Sequence, residues 1–406
     1  MAPRLIYTFE DFALDPTRRE LRRGSELLAL EPSVFDLLLY LIVHRDRVVT
    51  KDDLIAAVWH GRIVSDSTMA SRMNAARQAV ADSGARQRLI RTIARKGHRF
   101  VGEIREHTAS GIGSPGKRLA LQGELEPKPI ASFVKTADNI NLSVAAVGNG
   151  PVLLRTAHWY THIGVEWNNP LTSAFMHRLA SRHRFIFYDG RGAGLSDRNV
   201  KDMSFESYKL DLESVVLALK LRKFALLGMS GGAATAIAYA ARNPHKVSKL
   251  ILYGGYALGR NKRRSPQTAE EAKAFLTMIR SAWNNVDSPF WHAFASFFLP
   301  SATAEQFRWF SDLHSRALSL ESGIMARTAV DEIDVSAILA KVNVPTLVFH
   351  SVRDKQVPFE QGRIIATSIP NAKFVALESE NHTLLPGEPA WTQFVDEMEN
   401  FLQAKV

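Results

Sequence analysis

Gly228-Met229-Ser230-Gly231-Gly232 joins an apolar run, Lys223 to Gly228, to an alanine-rich run, Ala233 to Arg242, that stops before Pro244. The first reads as a buried strand and the second as a tightly packed helix. A serine on so sharp a strand-to-helix turn projects its hydroxyl clear of the sheet, and glycines two residues to either side remove side chains that would collide there. A serine hydroxyl is a weak nucleophile until a histidine accepts its proton. That histidine in turn needs a carboxylate to fix its tautomer and stabilise its cation. The chain offers both downstream: Val344 begins a strand that leads to Asp354 in a loop, and Glu380-Asn-His382-Thr follows the next strand. Ser230, His382 and Asp354 are thus candidates for nucleophile, general base and orienting acid in attack on an ester, lactone or similar carbonyl. Asp334 is a poorer acid candidate, because it falls in a helical stretch rather than after a strand.

The elements that must position these residues alternate. Strands are expected at about 131–136, 140–147, 152–157, 184–188, 223–228, 247–253, 344–350 and 373–378, with helical patterns between them after the first hairpin. That rhythm belongs to a mostly parallel sheet covered by helices on both faces. Residues 259–340 interrupt it with a helical insertion rich in aromatics: Trp283, Phe290, Trp291, Phe294, Phe297, Phe298, Trp309 and Phe310. These side chains suit either a pocket for an apolar ligand or simple cap packing.

Serine, aspartate and histidine in that order, each at the C-terminal end of an expected strand, resemble the α/β-hydrolases over about residues 130–404. Phe187-Tyr-Asp-Gly-Arg-Gly-Ala-Gly-Leu-Ser196 resembles the turn after that family's fourth strand, where Asp189 and Arg191 are expected to be structural. Arg155-Thr-Ala-His-Trp-Tyr-Thr-His162 follows the third strand, where the family places half of its oxyanion hole. The resemblance implies donors at the backbone N–H of Gly231 and of Trp159 or Tyr160, with His158-Trp159 standing where the family has His-Gly. The back domain as a whole looks like hydrolase domains fused to bacterial regulators and nucleotide cyclases.

The front of the chain reads differently. Residues 5–30 alternate apolar and polar positions, as short antiparallel strands with a Gly24 turn would. Pro32 opens a helix with the stripe Val34, Leu37, Leu38, Leu41. Lys51 to Trp59 follows, with Thr50 as N-cap, and then a helix from about Ser67 to Asp82. Two short strands joined by Ala94-Arg-Lys-Gly97 end the domain. At 100° per residue, Met69, Met73, Ala76 and Val80 share one face of the third helix. Ser67, Ser71, Asn74, Ala75 and Gln78 share the opposite one, with Arg72 and Arg77 at its flanks. Amides that read base edges and guanidinium groups that clamp phosphates suit a helix in a major groove, and Arg95 and Lys96 at the hairpin tip would reach an adjacent groove.

The segments Leu30-Glu-Pro-Ser-Val-Phe-Asp-Leu-Leu38, Val49 to Trp59, Ala76 to Asp82 and Ile90 to Val101 resemble the winged-helix effector domain of OmpR/PhoB-type response regulators and CadC-like activators. The resemblance implies a recognition helix from Ser67, a wing at Ala94–Gly97, and homodimers on repeated half-sites. His98 stands where tyrosine is usual, and neither a receiver domain nor a membrane helix is expected as the input.

Charge supports a nucleic-acid partner for this part. The net charge is +10, and residues 60–105 alone hold 10 Lys/Arg against Asp66, Asp82 and Glu103. The 406 residues contain no cysteine, so disulfides and thiolate metal sites are excluded. His158, His162, His314 and His350 lack ligand-like spacing, so no metal or other cofactor is expected. The opening residues lack a signal-peptide core and no apolar run is long enough to span a bilayer, which points to a cytoplasmic protein without a membrane partner.

The expected architecture is a winged helix-turn-helix domain over 1–106, a linker over 107–129, and an α/β-hydrolase fold with a helical cap over 130–406. The expected function is a regulator that binds double-stranded DNA and whose back domain binds, and in the stronger form hydrolyses, a small acyl or ester effector. Two other readings stand beside it: a metabolic, esterase-like serine hydrolase with an accessory DNA-binding domain, and a catalytically silent ligand sensor.

Overall fold

In the computed structural model the chain divides into two units, residues 1–120 and 121–406. The structure describes residues 5–108 and 128–404, except 17–18, Ser25, Ala29, 60–63, Ala85, Arg95, Arg264, Asn284 and 286–287. Most of the stretch expected to be a linker therefore lies outside the described residues, as does Arg95.

The front unit runs β1 (Leu5–Phe9), β2 (Phe12–Asp15), β3 (Glu20–Arg23), β4 (Glu26–Leu28), α1 (Pro32–Val43), α2 (Lys51–Trp59), α3 (Asp66–Ala79), β5 (Ile90–Ile93), β6 (Gly97–Phe100) and β7 (Arg105–Thr108). The sheet order β4-β3-β2-β1-β7 is antiparallel throughout, and β7 extends the sheet two residues into the segment read as linker. A four-residue strand carries too little periodicity to be separated from a linker by sequence; its pairing with β1 defines it. Thr50 caps α2 reciprocally with Asp53: the Asp53 amide donates to Oγ1 and the Thr50 amide to the carboxylate. Ser65 caps α3 by accepting from the Thr68 amide. Leu37, Leu38 and Leu41 of α1 and Met73 and Ala76 of α3 share one buried core.

Arg77 departs from its expected role. Its side chain is buried, and its Nε and Nη2 donate to the Ile90 carbonyl at 3.2 and 3.1 Å, with Nη2 also reaching Thr92 Oγ1 at 2.8 Å. The guanidinium ties α3 to the β5–β6 hairpin and is not presented to a phosphate. Removing a charged donor strands the Ile90 carbonyl. Arg77→Ala is therefore expected to lower the local opening free energy of the hairpin by about 2 kcal/mol, read as lost amide-exchange protection across residues 90–100. Unchanged protection would return Arg77 to the surface role.

The back unit contains all eight expected strands: β8 (Ser132–Lys135), β9 (Asn141–Val147), β10 (Val152–Arg155), β11 (Arg184–Tyr188), β12 (Phe224–Met229), β13 (Val247–Tyr253), β14 (Thr346–Ser351) and β15 (Lys373–Leu377). Their order is β15-β14-β13-β12-β10-β11-β9-β8, parallel from β15 to β11 and antiparallel in β9 and β8. The helices are α4 (Ile163–Glu166), α5 (Ser173–Ala180), α6 (Phe205–Ala218), α7 (Gly231–Arg242), α8 (Pro266–Ala282), α9 (Pro289–Ser296), α10 (Ala304–Ala317), α11 (Leu320–Asp331), α12 (Phe359–Ser368) and α13 (Pro389–Gln403). One face of the sheet packs on residues of α6, α7 and α12, and the other on α5 and α13. Along β12, Leu226 faces the first layer while Ala225 and Leu227 face the second, the two-residue alternation of a strand buried on both sides.

Helices α8 to α11 form the expected insertion. Its aromatics go mainly into packing: Trp283, Trp291, Phe294, Phe298 and Phe310 share a core with Trp159 and Tyr160 of the β10–α4 loop, while Phe290 is exposed. His314 sits fully buried in that cluster, 3.8 Å from the Tyr160 ring, and burial pushes its pKa down to about 3. Among the described residues, no helix is long and apolar enough to cross a membrane.

Candidate active site

The β12–α7 turn is tight because nothing larger than hydrogen fits beside it. A Cβ on Gly228 would lie 2.7 Å from Ala233 Cα, and one on Gly232 would lie 2.5 Å from the Ala157 carbonyl oxygen and from Thr156 Oγ1. Between them Ser230 takes φ 49° and ψ −125°, outside the regions favoured by L residues, a strain costing roughly 1–3 kcal/mol. The amide of Ser230 donates to the Tyr253 carbonyl at 2.9 Å, which fixes the turn to β13.

Ser230 Oγ lies 2.9 Å from His382 Nε2, and His382 Nδ1 lies 2.7 Å from Asp354 Oδ2. A carboxylate only accepts, so Nδ1 carries the proton and Nε2 is left with a lone pair toward the serine hydroxyl. The other Asp354 oxygen accepts from the amides of Gln356 and Val357 at 2.8 and 2.9 Å, which orients the carboxylate before the histidine meets it. The histidine loop is held on three sides. Tyr253 Oη donates to the His382 carbonyl at 2.6 Å, Ser351 Oγ to the Asn381 carbonyl at 2.8 Å, and the His382 amide to the Phe298 carbonyl of the insertion at 2.8 Å. Three residues spread over 153 positions of the chain thus form one hydrogen-bonded relay from carboxylate to hydroxyl. Such a relay can raise the nucleophilicity of the hydroxyl and store its proton.

Gly231, Trp159 and Tyr160 line the same cavity as Ser230 and His382. Gly231 opens α7, where the first backbone N–H groups have no partner within the helix. The loop of Trp159 and Tyr160 is locked from below. Arg155 and Glu166 form a buried bidentate pair at 2.8 and 2.9 Å, and the His162 amide donates to the same carboxylate. Burial alone would raise the Glu166 pKa, but Arg155 and His158 outweigh it and hold the carboxyl down at about 2. Asp189 accepts from the amides of Ile163 and Leu195 and from Ser143 Oγ, while Arg191 pairs with Asp211 and Asp138. These two residues hold the loops beneath the site and do not line its main cavity.

The cavity opens to solvent and, counted together with the space at its mouth, spans about 1060 Å³. Of the eight aromatics singled out in the insertion, only Phe298 reaches it. What the insertion does contribute is charge: Arg260, Arg263, Arg327 and Asp331 line the wall, joined by Tyr256 from the segment after β13. These were not legible in the sequence, because arginines spread along helical segments look like a solvated face until the fold turns them inward.

In the front unit, Ser67, Ser71, Asn74 and Gln78 lie exposed on one face of α3, and Lys96 is exposed at the hairpin tip. Arg72 is half-buried and pairs with Glu31.

Residues 161–389 match the family described as alpha/beta hydrolase fold, and residues 24–100 the family described as transcriptional regulatory protein, C terminal. The chain is similar to the AB hydrolase superfamily protein YisY of Bacillus subtilis, 29% identical over 255 residues that cover 62% of this chain and 91% of that one. Its front is similar to the phosphate regulon transcriptional regulatory protein PhoB of Escherichia coli, 30% identical over 101 residues, 25% of this chain and 44% of the other. Among solved structures, an esterase from Exiguobacterium antarcticum superposes with a TM-score of 0.59 at 23% identity, over 68% of this chain and all of that one, which is a likeness of fold.

Proposed function

The chain belongs to the α/β-hydrolase family and carries an OmpR/PhoB-type DNA-binding domain ahead of the hydrolase domain, and on that premise we propose that it is a transcriptional regulator whose back domain binds and hydrolyses a small acyl effector. The observation that carries the enzymatic half is the relay Asp354–His382–Ser230, with bonds of 2.7 and 2.9 Å.

In this reading Ser230 Oγ attacks the carbonyl carbon as its proton passes to His382 Nε2. The backbone amides of Gly231 and of Trp159 or Tyr160 hold the oxyanion. Collapse of the tetrahedral intermediate breaks the bond to the leaving oxygen, which departs with the proton from His382. Water, deprotonated by the same imidazole, then releases the acid and restores Ser230. Asp354 stays ionised throughout and stabilises the imidazolium.

On the DNA side, α3 enters the major groove with Ser67, Ser71, Asn74 and Gln78 toward the bases, while Arg72 and Lys96 approach phosphates; two copies on repeated half-sites fit the same geometry. Phosphate contacts release counterions, so affinity of the full chain for a duplex should fall steeply with salt, and Lys96→Ala should reduce the slope of log affinity against log salt by about 1. Salt-independent or undetectable duplex binding at low ionic strength would end the regulatory half of the proposal.

A further inference from the structure

The cavity that holds Ser230 is walled on one side by three guanidinium groups and one carboxylate. Arg260 and Arg327 are 5% and 4% exposed, Asp331 2%. Arg327 donates to both oxygens of Asp331, and Arg260 Nη1 lies 3.5 Å from the same carboxylate. Arg260 Nη2 donates to the Gln356 carbonyl and to Gln356 Oε1 at 2.8 and 3.1 Å. The face of Phe275 carries both cations, with Arg260 at 4.3 Å and Arg327 at 5.4 Å from the ring centre. Half-buried Arg263 donates its Nε to the Leu258 carbonyl at 3.0 Å and lies 5.9 Å from the Tyr256 ring.

One carboxylate does not balance three cations. Within the described residues Asp331 is the only acid in ion-pair reach of Arg260 and Arg327, and none reaches Arg263. The Arg260 Nε is buried without a partner. Burial, followed by repulsion from Arg327, pushes the Arg260 pKa down to about 9, and burial lowers that of Arg263. An uncompensated buried charge is expensive, and an anion in the cavity relieves it. Arg263 spends only its Nε on the protein among the described residues, and its Nη groups are the paired N–H donors that suit the two oxygens of a carboxylate. Tyr256 links this wall to the reacting centre, since a Cβ on Gly231 would lie 3.3 Å from its hydroxyl.

We propose that Arg260, Arg263 and Arg327 form a carboxylate subsite, so that the effector is an acyl compound bearing a carboxylate remote from its scissile carbonyl. The assignment of the effector rests on Ser230 as nucleophile; the subsite itself does not.

The test uses the full chain and two esters of equal acyl length, para-nitrophenyl hydrogen glutarate and para-nitrophenyl valerate. The wild type should favour the acidic ester in kcat/KM by about 10-fold or more, and Arg263→Gln should collapse that ratio toward one. Arg263→Lys should recover part of it, which a folding defect would not do. In parallel, glutarate binding to Ser230→Ala is measured by calorimetry at two salt concentrations. Salt-sensitive, saturable binding that is lost in Ser230→Ala/Arg263→Gln supports the subsite even where no ester is turned over, and then only the hydrolytic reading fails. Equal rates on both esters together with no glutarate binding overturn the subsite while leaving Ser230 as nucleophile. Binding of inorganic phosphate in place of glutarate overturns the carboxylate assignment.

Discussion

Replacing Ser230 by alanine is expected to lower kcat for para-nitrophenyl butyrate by roughly 10⁴-fold or more. In the proposed mechanism the hydroxyl accepts the acyl group, so its loss would remove the covalent route altogether and leave only what the proposed oxyanion donors and substrate binding provide to a direct attack by water. His382→Ala should cost nearly as much, because the hydroxyl then has no proton acceptor within reach. Asp354→Asn should cost about 10⁴-fold, since an amide at that position favours the wrong tautomer at Nδ1. These losses should not add: Ser230→Ala/His382→Ala should be no slower than Ser230→Ala, because the relay acts as a unit. Steady-state turnover and a stoichiometric burst of para-nitrophenol are the measurements. Turnover that persists in Ser230→Ala at the wild-type rate would remove the serine mechanism, whereas a wild-type chain that binds acyl ligands without turnover would point to the sensor reading. A regulator whose signal ends by hydrolysis should also show a prolonged promoter response in Ser230→Ala.

A comparably large effect on stability is expected at Asp211. The Arg191 side chain is 1% exposed and depends on Asp211 for a hydrogen bond at 2.7 Å to Nη2 and a further contact at 3.0 Å to Nε; its second partner, Asp138, is 39% exposed. Asp211→Ala leaves a buried guanidinium with one partly solvated anion, and breaking such a pair costs about 3–5 kcal/mol. Arg191→Met/Asp211→Leu, which removes both charges and keeps the volume, should recover most of that loss. Urea midpoints of the three proteins decide it, and a loss under about 1 kcal/mol in Asp211→Ala would class the pair with exposed ion pairs. The effect bears on function. The turn that carries Arg191 also holds the loop that follows Trp159 and Tyr160: the Gly190 amide donates to Thr161 Oγ1 at 3.0 Å, and Asp189 receives the Ile163 amide at 2.8 Å. A partly unfolded turn should therefore lower kcat before it lowers the melting temperature of the whole unit.

Ser230 was legible because its turn is a local object, with glycines two residues to either side, an apolar strand before it and a small-residue helix after it. Asp354 and His382 were legible for a related reason, since each follows a short apolar strand whose end in a parallel sheet lies on the same edge as the serine. The eight strands of the back unit and the capped helices of the front unit likewise follow from periodicity and capping within short windows. What the sequence could not supply was depth. The helical angle of Arg77 placed it at the flank of α3, yet the hairpin that buries it is 13 residues further on and its approach is set by packing. Strand β7 exists only through its partner β1. Most of the insertion's aromatics pack against one another and against Trp159 and Tyr160, while arginines of the same insertion face the cavity. A hydropathy pattern sorts residues into inside and outside, and an arginine turned into a cavity violates that sorting at an energetic cost. Local chemistry along the chain thus singled out the residues that form the hydrogen-bonded relay, and tertiary packing decided which charges they share the cavity with.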